Sequence, residues 1–374
     1  MTLTSTGRTD SLAEAPAVDR PGRGVPEISV VVCTYRRAEK LPACLEALAR
    51  QTIRERAEVI VVDDGPDDAT ADVAGRYDVQ LLQHTHNRGP AAARNTGIHA
   101  ASAPVVAFTD DDCVPASGWM EALLEPYARP GVVAVGGLIE ALRTETIVHR
   151  YLAESNRLAP LELELGQSTS LLHHACQYIK RNLRRTQTEP GTRPVFSLVG
   201  ANSSFRRDAL FDVGLFDDDI DFAGGEDEDL CRRVRERFPG DELVFTSHAV
   251  VAHDYCGELR DTLRRSYQYG RASARGCLTH ESQSPTLFPA PALVATLLAL
   301  GSRRPWALAA AVAVPFVVSP GWSIEAIRRR RPDLLAFPAV QLLEEAANDL
   351  GFVRDWVKLH RQLGSGPDPG AVGG

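Results

Sequence analysis

Strands that alternate with helices constrain the fold of this chain most strongly, and the pattern fills its first third. Four apolar stretches read as buried strands: residues 28–32, 59–62, 79–82 and 105–109. Helical patterns separate them over residues 41–48, 69–76 and 90–101. Such alternation predicts an α/β fold in which helices cover both faces of a mostly parallel sheet.

Polar clusters follow three of the four predicted strands. They are Cys33-Thr34-Tyr35-Arg36-Arg37, Asp63-Asp64-Gly65 and Asp110-Asp111-Asp112. Because ligands of open parallel sheets bind at the carboxyl ends of the strands, we expect these clusters to form one site. The first strand lacks the GxGxxG pattern, so a dinucleotide site of the Rossmann type is not expected.

The Asp110-Asp111-Asp112 triplet is the most informative of these clusters. Carboxylates at the end of a buried strand repel one another, and a divalent cation that bridges to a phosphate would compensate them. An acidic turn or a helix cap would produce the same three residues. The triplet alone leaves both interpretations open.

The composition narrows the class of protein. The 374 residues carry a net charge of -8 with a pI of about 5.7, which argues against general nucleic-acid binding. Arg, which suits bidentate contacts with phosphate and carboxylate, supplies nearly all of the positive charge. Seven cysteines without CxxC spacing are typical of reduced thiols in a cytosolic protein. Residues 1–26 are polar, show no secretory signal and are expected to be disordered.

The regular alternation fades after about residue 130. We expect a strand over residues 132–137, a strand that enters a turn within 196–205, and two short strands at 243–246 and 249–252. An acidic stretch after Gly225 predicts a helix that runs from about Glu226 to about residue 238.

The last third of the chain changes character. Residues 287–301 and 305–322 are apolar, and Arg residues lie between and after them. A helix over the 15 residues of the first stretch would span roughly 22 Å, short of the roughly 30 Å of a hydrocarbon core. A hairpin packed on the protein or on a twin subunit is one interpretation, and an inserted or interfacial membrane hairpin, which we favour, is the other. Residues 334–363 are expected to form an amphipathic helix.

Together these motifs resemble family 2 glycosyltransferases with the GT-A fold. The resemblance rests on residues 30–37, 61–65, 87–97 and 108–112, and the acidic segment 225–230 extends it. It covers roughly residues 27–256 and implies a nucleotide-sugar-binding half (27–140) and an acceptor-binding, catalytic-base half (141–256). Residues 257–374 would form a C-terminal helical region with an apolar hairpin at about 287–322.

The resemblance implies a nucleotide-diphosphate sugar donor, most simply a UDP-sugar, and a divalent cation, Mg²⁺ or Mn²⁺. Asp112 would bind the metal directly, and Asp110 would contact the ribose or the water shell of the metal. Asp111 belongs to the same donor-binding cluster, but alternation of strand side chains predicts that it faces away and is largely structural. His253 would bind the metal or the diphosphate, with a hydrogen-bonded interior His as the alternative.

The donor residues that the resemblance implies lie after the first two strands and in the third helix. Thr34, Tyr35 and Arg37 match the segment that wraps the base and ribose, and Asp63 matches the position that contacts the base. For two further residues, contact with the donor site and a structural tie between helix and strand stay equally open: Arg94 and Asn95.

An inverting transfer needs a base for the proton of the acceptor hydroxyl. The resemblance gives that role to Asp227, and Glu226 would orient the acceptor or a loop. A helix cap is the alternative for this acidic stretch. A position at the start of a helix should keep the Asp227 carboxylate ionised near neutral pH.

We therefore interpret the chain as a metal-dependent inverting glycosyltransferase. Its acceptor would be a saccharide or a lipid-linked molecule of cell-envelope glycan or glycolipid synthesis, at the cytoplasmic face of the membrane. The alternatives are a catalytically inactive glycan-binding or scaffold protein and a sugar nucleotidyltransferase. Peripheral or hairpin membrane contact and a homo-oligomer stay open, and no nucleic-acid partner is expected.

Overall fold

The computed structural model describes residues 24–155, 158, 170–183, 190–218, 224–279 and 287–364. These residues form a β-sheet flanked by helices and a C-terminal helical region, which confirms the predicted α/β class. Of the tail predicted to be disordered, residues 1–23 lie outside the described residues.

The sheet contains nine strands within the described ranges. They are β1 (Ile28–Thr34), β2 (Ala57–Asp63), β3 (Gln80–Gln83), β4 (Val105–Asp110), β5 (Cys113–Pro115), β6 (Val132–Ala141), β7 (Thr192–Val195), β8 (Asn202–Arg206) and β9 (Glu242–His253). The helices that accompany the sheet are α1 (Leu41–Ala49), α2 (Asp68–Ala74), α3 (Pro90–Ala100), α4 (Trp119–Leu124), α5 (Ile147–Ser155), α6 (Leu171–Leu183), α7 (Arg207–Asp212) and α8 (Glu226–Arg237). The C-terminal helices are α9 (Leu259–Thr279), α10 (Pro289–Gly301), α11 (Pro305–Val318), α12 (Pro320–Arg328) and α13 (Phe337–Gly364).

The strand order positions the predicted site. It is β3-β2-β1-β4-β8-β6-β9-β5, and β7 also pairs with β9. Strand β1 runs parallel to β2 and β4, so that Thr34 lies beside Asp63 and Cys33 beside Asp110. The polar clusters therefore meet at one edge of the sheet, as the sequence predicts. Antiparallel pairs of β8 with β4 and β6, and of β9 with β5 and β7, make the sheet mixed as a whole.

Side chains of β1 pack alternately into two apolar clusters, one on each face of the sheet. Val30 and Val32 join the cluster that contains α1, while Val31 joins the cluster that contains α3. Helix α3 packs very closely on β1, because a Cβ at Gly97 would lie 2.3 Å from the nearest Val31 methyl group. This packing fixes the position of the polar residues that α3 carries.

The later strands differ from their predictions. The strand-then-turn order expected within residues 196–205 is wrong, because β7 ends at Val195 and β8 begins at Asn202 after an irregular segment. The two short strands expected at 243–246 and 249–252 are one strand, β9, whose pairing with β6 shifts register between Gly137 and Leu138. At this irregularity the Asn202 side-chain amide donates to one backbone oxygen on each strand, Leu138 of β6 and Ala249 of β9, both at 2.9 Å.

The predicted boundary between a donor half and an acceptor half lies inside a strand. Strand β6 crosses residue 140 and pairs with both β8 and β9. One sheet therefore serves both halves, and the division into 27–140 and 141–256 stays a prediction.

The C-terminal region contains the two apolar stretches as helices. The first is α10, and the second breaks at Ser319 into α11 and α12 although Pro315 lies earlier, inside α11. Within the described residues no single helix is long and apolar enough to cross a membrane; α11 and α12 reach that length together, across a bend of 66°. The Ser319 hydroxyl at the break donates to the Asn182 side chain at 2.9 Å.

Candidate active site

The Asp triplet lies where β4 ends and the chain turns into β5. Asp110 is the last residue of β4 and is partly exposed, whereas Asp111 and Asp112 lie in the turn and are buried. The expectation that Asp111 faces away is wrong, because its carboxylate accepts from the Thr34 hydroxyl at 2.7 Å and pairs with Arg37 at 3.1 Å. Alternation does not apply to Asp111, since the strand ends before it.

Arg37 lies across the triplet. One of its terminal nitrogens pairs with Asp111 and the other donates to Asp112 Oδ2. Residue Arg36 before it has a left-handed backbone (φ 51°) and stacks on the Tyr35 ring, 5.2 Å from its centroid. The structure thus places Arg37 against carboxylates, while Tyr35 is exposed beside it.

The pKa values of the two buried carboxyl groups of the triplet, Asp111 and Asp112, shift in opposite directions. Burial raises the pKa of Asp111 to about 7, although Arg37 opposes the rise. Burial would also raise the pKa of Asp112, but His253 and Arg37 together hold it below its ordinary value. Asp112 is therefore a carboxylate at neutral pH, as a metal ligand must be.

Four side chains bring potential metal ligands within 4.8 Å of one another: Asp110, Asp112, Cys113 and His253. His253 Nε2 lies 3.5 Å from Asp112 Oδ1, and the β5–β9 pairing places Cys113 opposite His253. Burial lowers the pKa of His253, which favours the neutral imidazole that binds metals. Burial raises the pKa of the Cys113 thiol well above its ordinary value, so it stays protonated and is a poor ligand.

This donor set fits a divalent cation. Two carboxylates supply oxygens of the kind that Mg²⁺ and Mn²⁺ prefer. His253 Nδ1 is buried without a hydrogen bond to any described residue, and the His253 ring stacks on Tyr255 with centroids 4.3 Å apart. A hydrogen-bonded interior His would have both ring nitrogens satisfied, but it is Nε2, not the unpartnered Nδ1, that faces Asp112. The ligand role of His253 and the interior alternative therefore both stay predictions.

Asp63 and Asp64 differ although they are adjacent. Asp63 is fully buried, and its Oδ1 has no hydrogen-bond partner in the described part of the chain. Burial raises its pKa. Asp64 instead accepts from the backbone amides of Arg88 and Gly89 at 2.8 Å and contacts His84 at 2.7 Å. Asp64 therefore fixes the loop that leads into α3, whereas Asp63 accepts from the Gln83 side chain at 3.2 Å through its other oxygen.

Arg94 joins the triplet to the second acidic motif. It lies 2.7 Å from Glu226 and 3.4 Å from Asp110, and it is buried above the Phe216 ring. The neighbouring Gly200 leaves room for it, because a Cβ there would lie 3.0 Å from the guanidinium. The sequence does not predict the Arg94–Glu226 contact, since 132 residues separate its two ends.

Asn95 ties helix α3 to the segment after α7. Its amide donates to the Phe216 carbonyl and its oxygen accepts from the Phe216 amide, both at 2.9 Å. Asn95 therefore acts as a structural tie in this structure, because both polar atoms of its side chain form hydrogen bonds with the backbone of Phe216.

Glu226 and Asp227 begin helix α8. Glu226 is buried beside Arg94 and accepts a hydrogen bond from the Gly224 amide at 2.7 Å, so it anchors the Gly224-Gly225 turn. Asp227 accepts from the Gly200 amide at 3.0 Å and the Glu228 amide at 2.9 Å. Burial and the Glu226 charge nevertheless raise the pKa of Asp227 to about 7. The expected stabilisation of its ionised form at the helix start is outweighed, and its pKa suits a base that works near neutral pH.

A basic pair that the motifs did not single out lies beside His253. Lys40 and Arg143 both pair with Asp254, Arg143 at 2.7 Å. Asp254 is buried and directly follows His253 in the sequence. Its place next to a predicted metal ligand was the one sequence feature that pointed to it.

Comparison with known proteins identifies the family. Residues 29–213 match the model of glycosyl transferase family 2. The chain belongs to this family. The pre-mycofactocin glycosyltransferase of Mycobacterium tuberculosis is 36% identical over 247 residues, which are 64% of this chain and 47% of that protein. This chain therefore spans about half the length of that relative.

Two archaeal relatives from Haloferax volcanii match a similar share of this family 2 chain. Glycosyltransferase AglE is 28% identical over 255 residues, covering 66% of this chain and 73% of its own. A glucosyl-dolichyl phosphate glucuronosyltransferase is 28% identical over 258 residues, covering 65% and 75%.

A solved structure shows the fold. The mannosyltransferase PcManGT from Pyrobaculum calidifontis, in complex with GDP-Man and Mn²⁺, matches with a TM-score of 0.51 at 19% identity. The match covers 91% of this chain and 90% of that one. The predicted GT-A fold is confirmed, and the C-terminal helical region is part of the observed structure.

Proposed function

We propose that this glycosyltransferase moves a sugar, with inversion, from a nucleotide-diphosphate donor to an acceptor hydroxyl, and that it depends on Mg²⁺ or Mn²⁺. The observation that carries the proposal is that Arg94 pairs with both Asp110 and Glu226. The ligand atom of Asp110 lies within 4.8 Å of those of Asp112 and His253, and Glu226 directly precedes Asp227. Arg94 therefore links the proposed cation site at the end of β4 to the start of α8, where Asp227 has a raised pKa.

The residues around the triplet would hold the leaving group. Asp112 and His253, with Asp110 beside them, would hold the metal ion, which neutralises charge that develops on a departing nucleoside diphosphate. Arg37 would exchange Asp112 for a phosphate oxygen, because its side chain is 39% exposed and a diphosphate can therefore reach it.

The donor base and ribose would lie along the ends of β1 and β2. Asp63 offers a buried oxygen without a partner, and Tyr35 offers an exposed ring beside Gly65. A buried acceptor atom suits an N–H of a nucleobase, and the uracil imide is such a group. A UDP-sugar is accordingly the proposed donor.

Asp227 would take the proton of the acceptor hydroxyl. Its raised pKa gives it both a useful ionised fraction near neutral pH and sufficient basicity. Glu226 holds the adjoining turn through Gly224, and Arg94 orients Glu226. Arg94 and Glu226 are thus positioning residues that connect the donor and acceptor sides.

The proposed acceptor is a lipid-linked or other envelope saccharide, used at the cytoplasmic face of a membrane. A relative named for a dolichyl-phosphate substrate and the apolar helices α10 and α11 support this. All seven cysteines are free thiols, which fits a reducing compartment. A twin subunit over α10 and α11 stays open as an alternative.

A panel of nucleotide sugars tests the proposal, with metal-dependent release of nucleoside diphosphate as the readout. We expect turnover with one or more UDP-sugars, loss of turnover on chelation of the metal, and loss in Asp227→Asn. Release of pyrophosphate from a nucleoside triphosphate and a sugar phosphate would instead support the nucleotidyltransferase alternative. Glycan binding that is unchanged in Asp227→Asn, without turnover of any donor, would support the scaffold alternative.

A further inference from the structure

Helices α10, α11 and α12 present a large apolar surface to solvent, here called the apolar face. Its most exposed members are Leu298, Trp306, Val312, Val317, Ile324 and Ile327. Val312 and Val317 are each 72% exposed and Ile327 is 81% exposed. Large exposed apolar patches mark protein or membrane contacts.

Positive charge lies at both ends of the apolar face. Arg303 and Arg304 occupy the connection between α10 and α11, Arg328 is the last residue of α12, and Arg330 lies two residues after it. Arg303, Arg304 and Arg330 are exposed, and each makes no ion pair with a described residue. Residues 287–324 contain no Asp or Glu, although the whole chain carries a net charge of -8.

We propose that the apolar face docks flat on an anionic lipid surface. Apolar side chains would enter the boundary between headgroups and acyl chains, and the Arg residues would contact lipid phosphates. A second copy of this chain is the less favourable occupant, because it would supply another cationic rim and no carboxylate from residues 287–324.

Helix length and charge favour a flat orientation over end-on insertion. Helices α10 and α11 have 13 and 14 residues and so extend about 20 Å each, less than the roughly 30 Å hydrocarbon core. End-on insertion would carry Arg303 and Arg304 to the deepest point of the hairpin, where charged side chains are strongly disfavoured. A flat hairpin keeps both at headgroup depth.

Helix α12 of the apolar face packs against α5, a helix that accompanies the β-sheet, and against α13. Trp322 on α12 packs between Tyr151 on α5 and Phe337 on α13, at centroid distances of 5.9 Å and 4.9 Å. Arg329 forms two hydrogen bonds, of 2.7 and 2.8 Å, with Glu154 at the end of α5. Docking would therefore fix the orientation of the whole domain to the lipid.

The same cluster extends to the candidate metal site. Tyr255 packs against the cluster that contains Trp322 and stacks on His253. The inference rests on the proposed function in one respect: a docked face would present the acceptor side of the site to lipid-linked saccharides. The docking itself does not require catalysis.

Vesicle flotation of the full chain tests the proposal, with neutral phosphatidylcholine vesicles and with vesicles that also contain phosphatidylglycerol. We expect flotation with the anionic vesicles and much less with the neutral ones. The double variant Val312→Ser/Val317→Ser should bind at least about tenfold more weakly. Arg303→Gln/Arg304→Gln should lose about tenfold on anionic vesicles and little on neutral ones.

Leu350→Ser is the matched control, because Leu350 is 67% exposed on α13 outside the apolar face, and it should bind like the unchanged chain. Absence of flotation, or equal flotation with both vesicle types, would overturn the proposal. A dimer in light scattering that Val312→Ser/Val317→Ser abolishes, without vesicle binding, would overturn it in favour of a second copy. Donor turnover without vesicle binding would refute the docking alone, and vesicle binding without turnover of any donor would refute the proposed function alone.

Discussion

Replacing Arg37 by alanine would change the charge balance of the Asp triplet. The guanidinium pairs with Asp111 at 3.1 Å and also donates to Asp112 Oδ2, while the other oxygen of Asp112, Oδ1, faces His253 at 3.5 Å. A cation that binds Asp112 must therefore displace Arg37 or share the carboxylate with it. We expect Arg37→Ala to bind Mn²⁺ more tightly than the unchanged chain when no nucleotide is present.

The size of this effect follows from the exposure of the pair. Hydrogen bonds to charged groups contribute roughly 1.5–3 kcal/mol when well shielded. The Arg37 side chain is 39% exposed, and solvent screening reduces the value to about 1–2 kcal/mol. Manganese affinity should therefore rise about 5- to 30-fold in Arg37→Ala. The affinity for UDP in the presence of Mn²⁺ should fall, because a guanidinium positioned for phosphate is lost.

Isothermal calorimetry with Mn²⁺ alone, at alkaline pH where the carboxylates are ionised, measures the change. Arg36→Ala is the matched control, because Arg36 stacks on Tyr35 instead of pairing with the triplet, and its manganese affinity should stay unchanged. Unchanged or weaker manganese binding by Arg37→Ala would refute the idea that Arg37 competes with the cation for Asp112.

Three further predictions concern folding and packing. Burial raises the pKa of Glu345 from 4.5 to about 7, so the folded chain holds a proton that the unfolded chain releases, and stability is lost as pH rises through this interval. Glu345→Gln should reduce that loss of unfolding free energy by about 2–3 kcal/mol, as measured by urea unfolding at acidic and alkaline pH. An undiminished loss in the variant would contradict this prediction. Asn95→Ala should cost about 1–3 kcal/mol, because it leaves the Phe216 amide and carbonyl unpaired, while UDP affinity is retained; a variant of normal stability that loses UDP would assign Asn95 to the donor site. Gly97→Ala should destabilise by about 1–3 kcal/mol in thermal unfolding, since its Cβ would lie 2.3 Å from a Val31 methyl group, and an unchanged melting temperature would contradict this close packing.

Strands β1, β2 and β4 could be predicted because they are buried on both faces of the sheet. Such strands read as continuous apolar runs, and β1, β2 and β4 all do so. Strand β7 has the sequence Thr-Arg-Pro-Val and is largely exposed, so no apolar pattern marks it. Its conformation depends on pairing with β9, which is tertiary context that local sequence does not contain.

The sequence predicted which residues lie at the candidate site better than it predicted the contacts between them. Asp112 and His253 lie together as the family motifs imply, because β4 and β9 both end at the site. The Arg94–Glu226 ion pair escaped prediction, since no local periodicity relates residues so far apart. The predicted orientation of Asp111 is wrong, because side chains alternate only within a strand and Asp111 lies in the turn after β4.

The central claim is that two distant carboxylates have separate roles: Asp112 for the metal and donor, Asp227 for the acceptor. Calorimetry of UDP with Mn²⁺ in the two variants Asp112→Ala and Asp227→Asn tests it most directly. We predict that Asp112→Ala loses metal-dependent UDP binding, whereas Asp227→Asn binds UDP like the unchanged chain and transfers no sugar. Unaltered UDP affinity in Asp112→Ala, or normal turnover in Asp227→Asn, would contradict this division of roles.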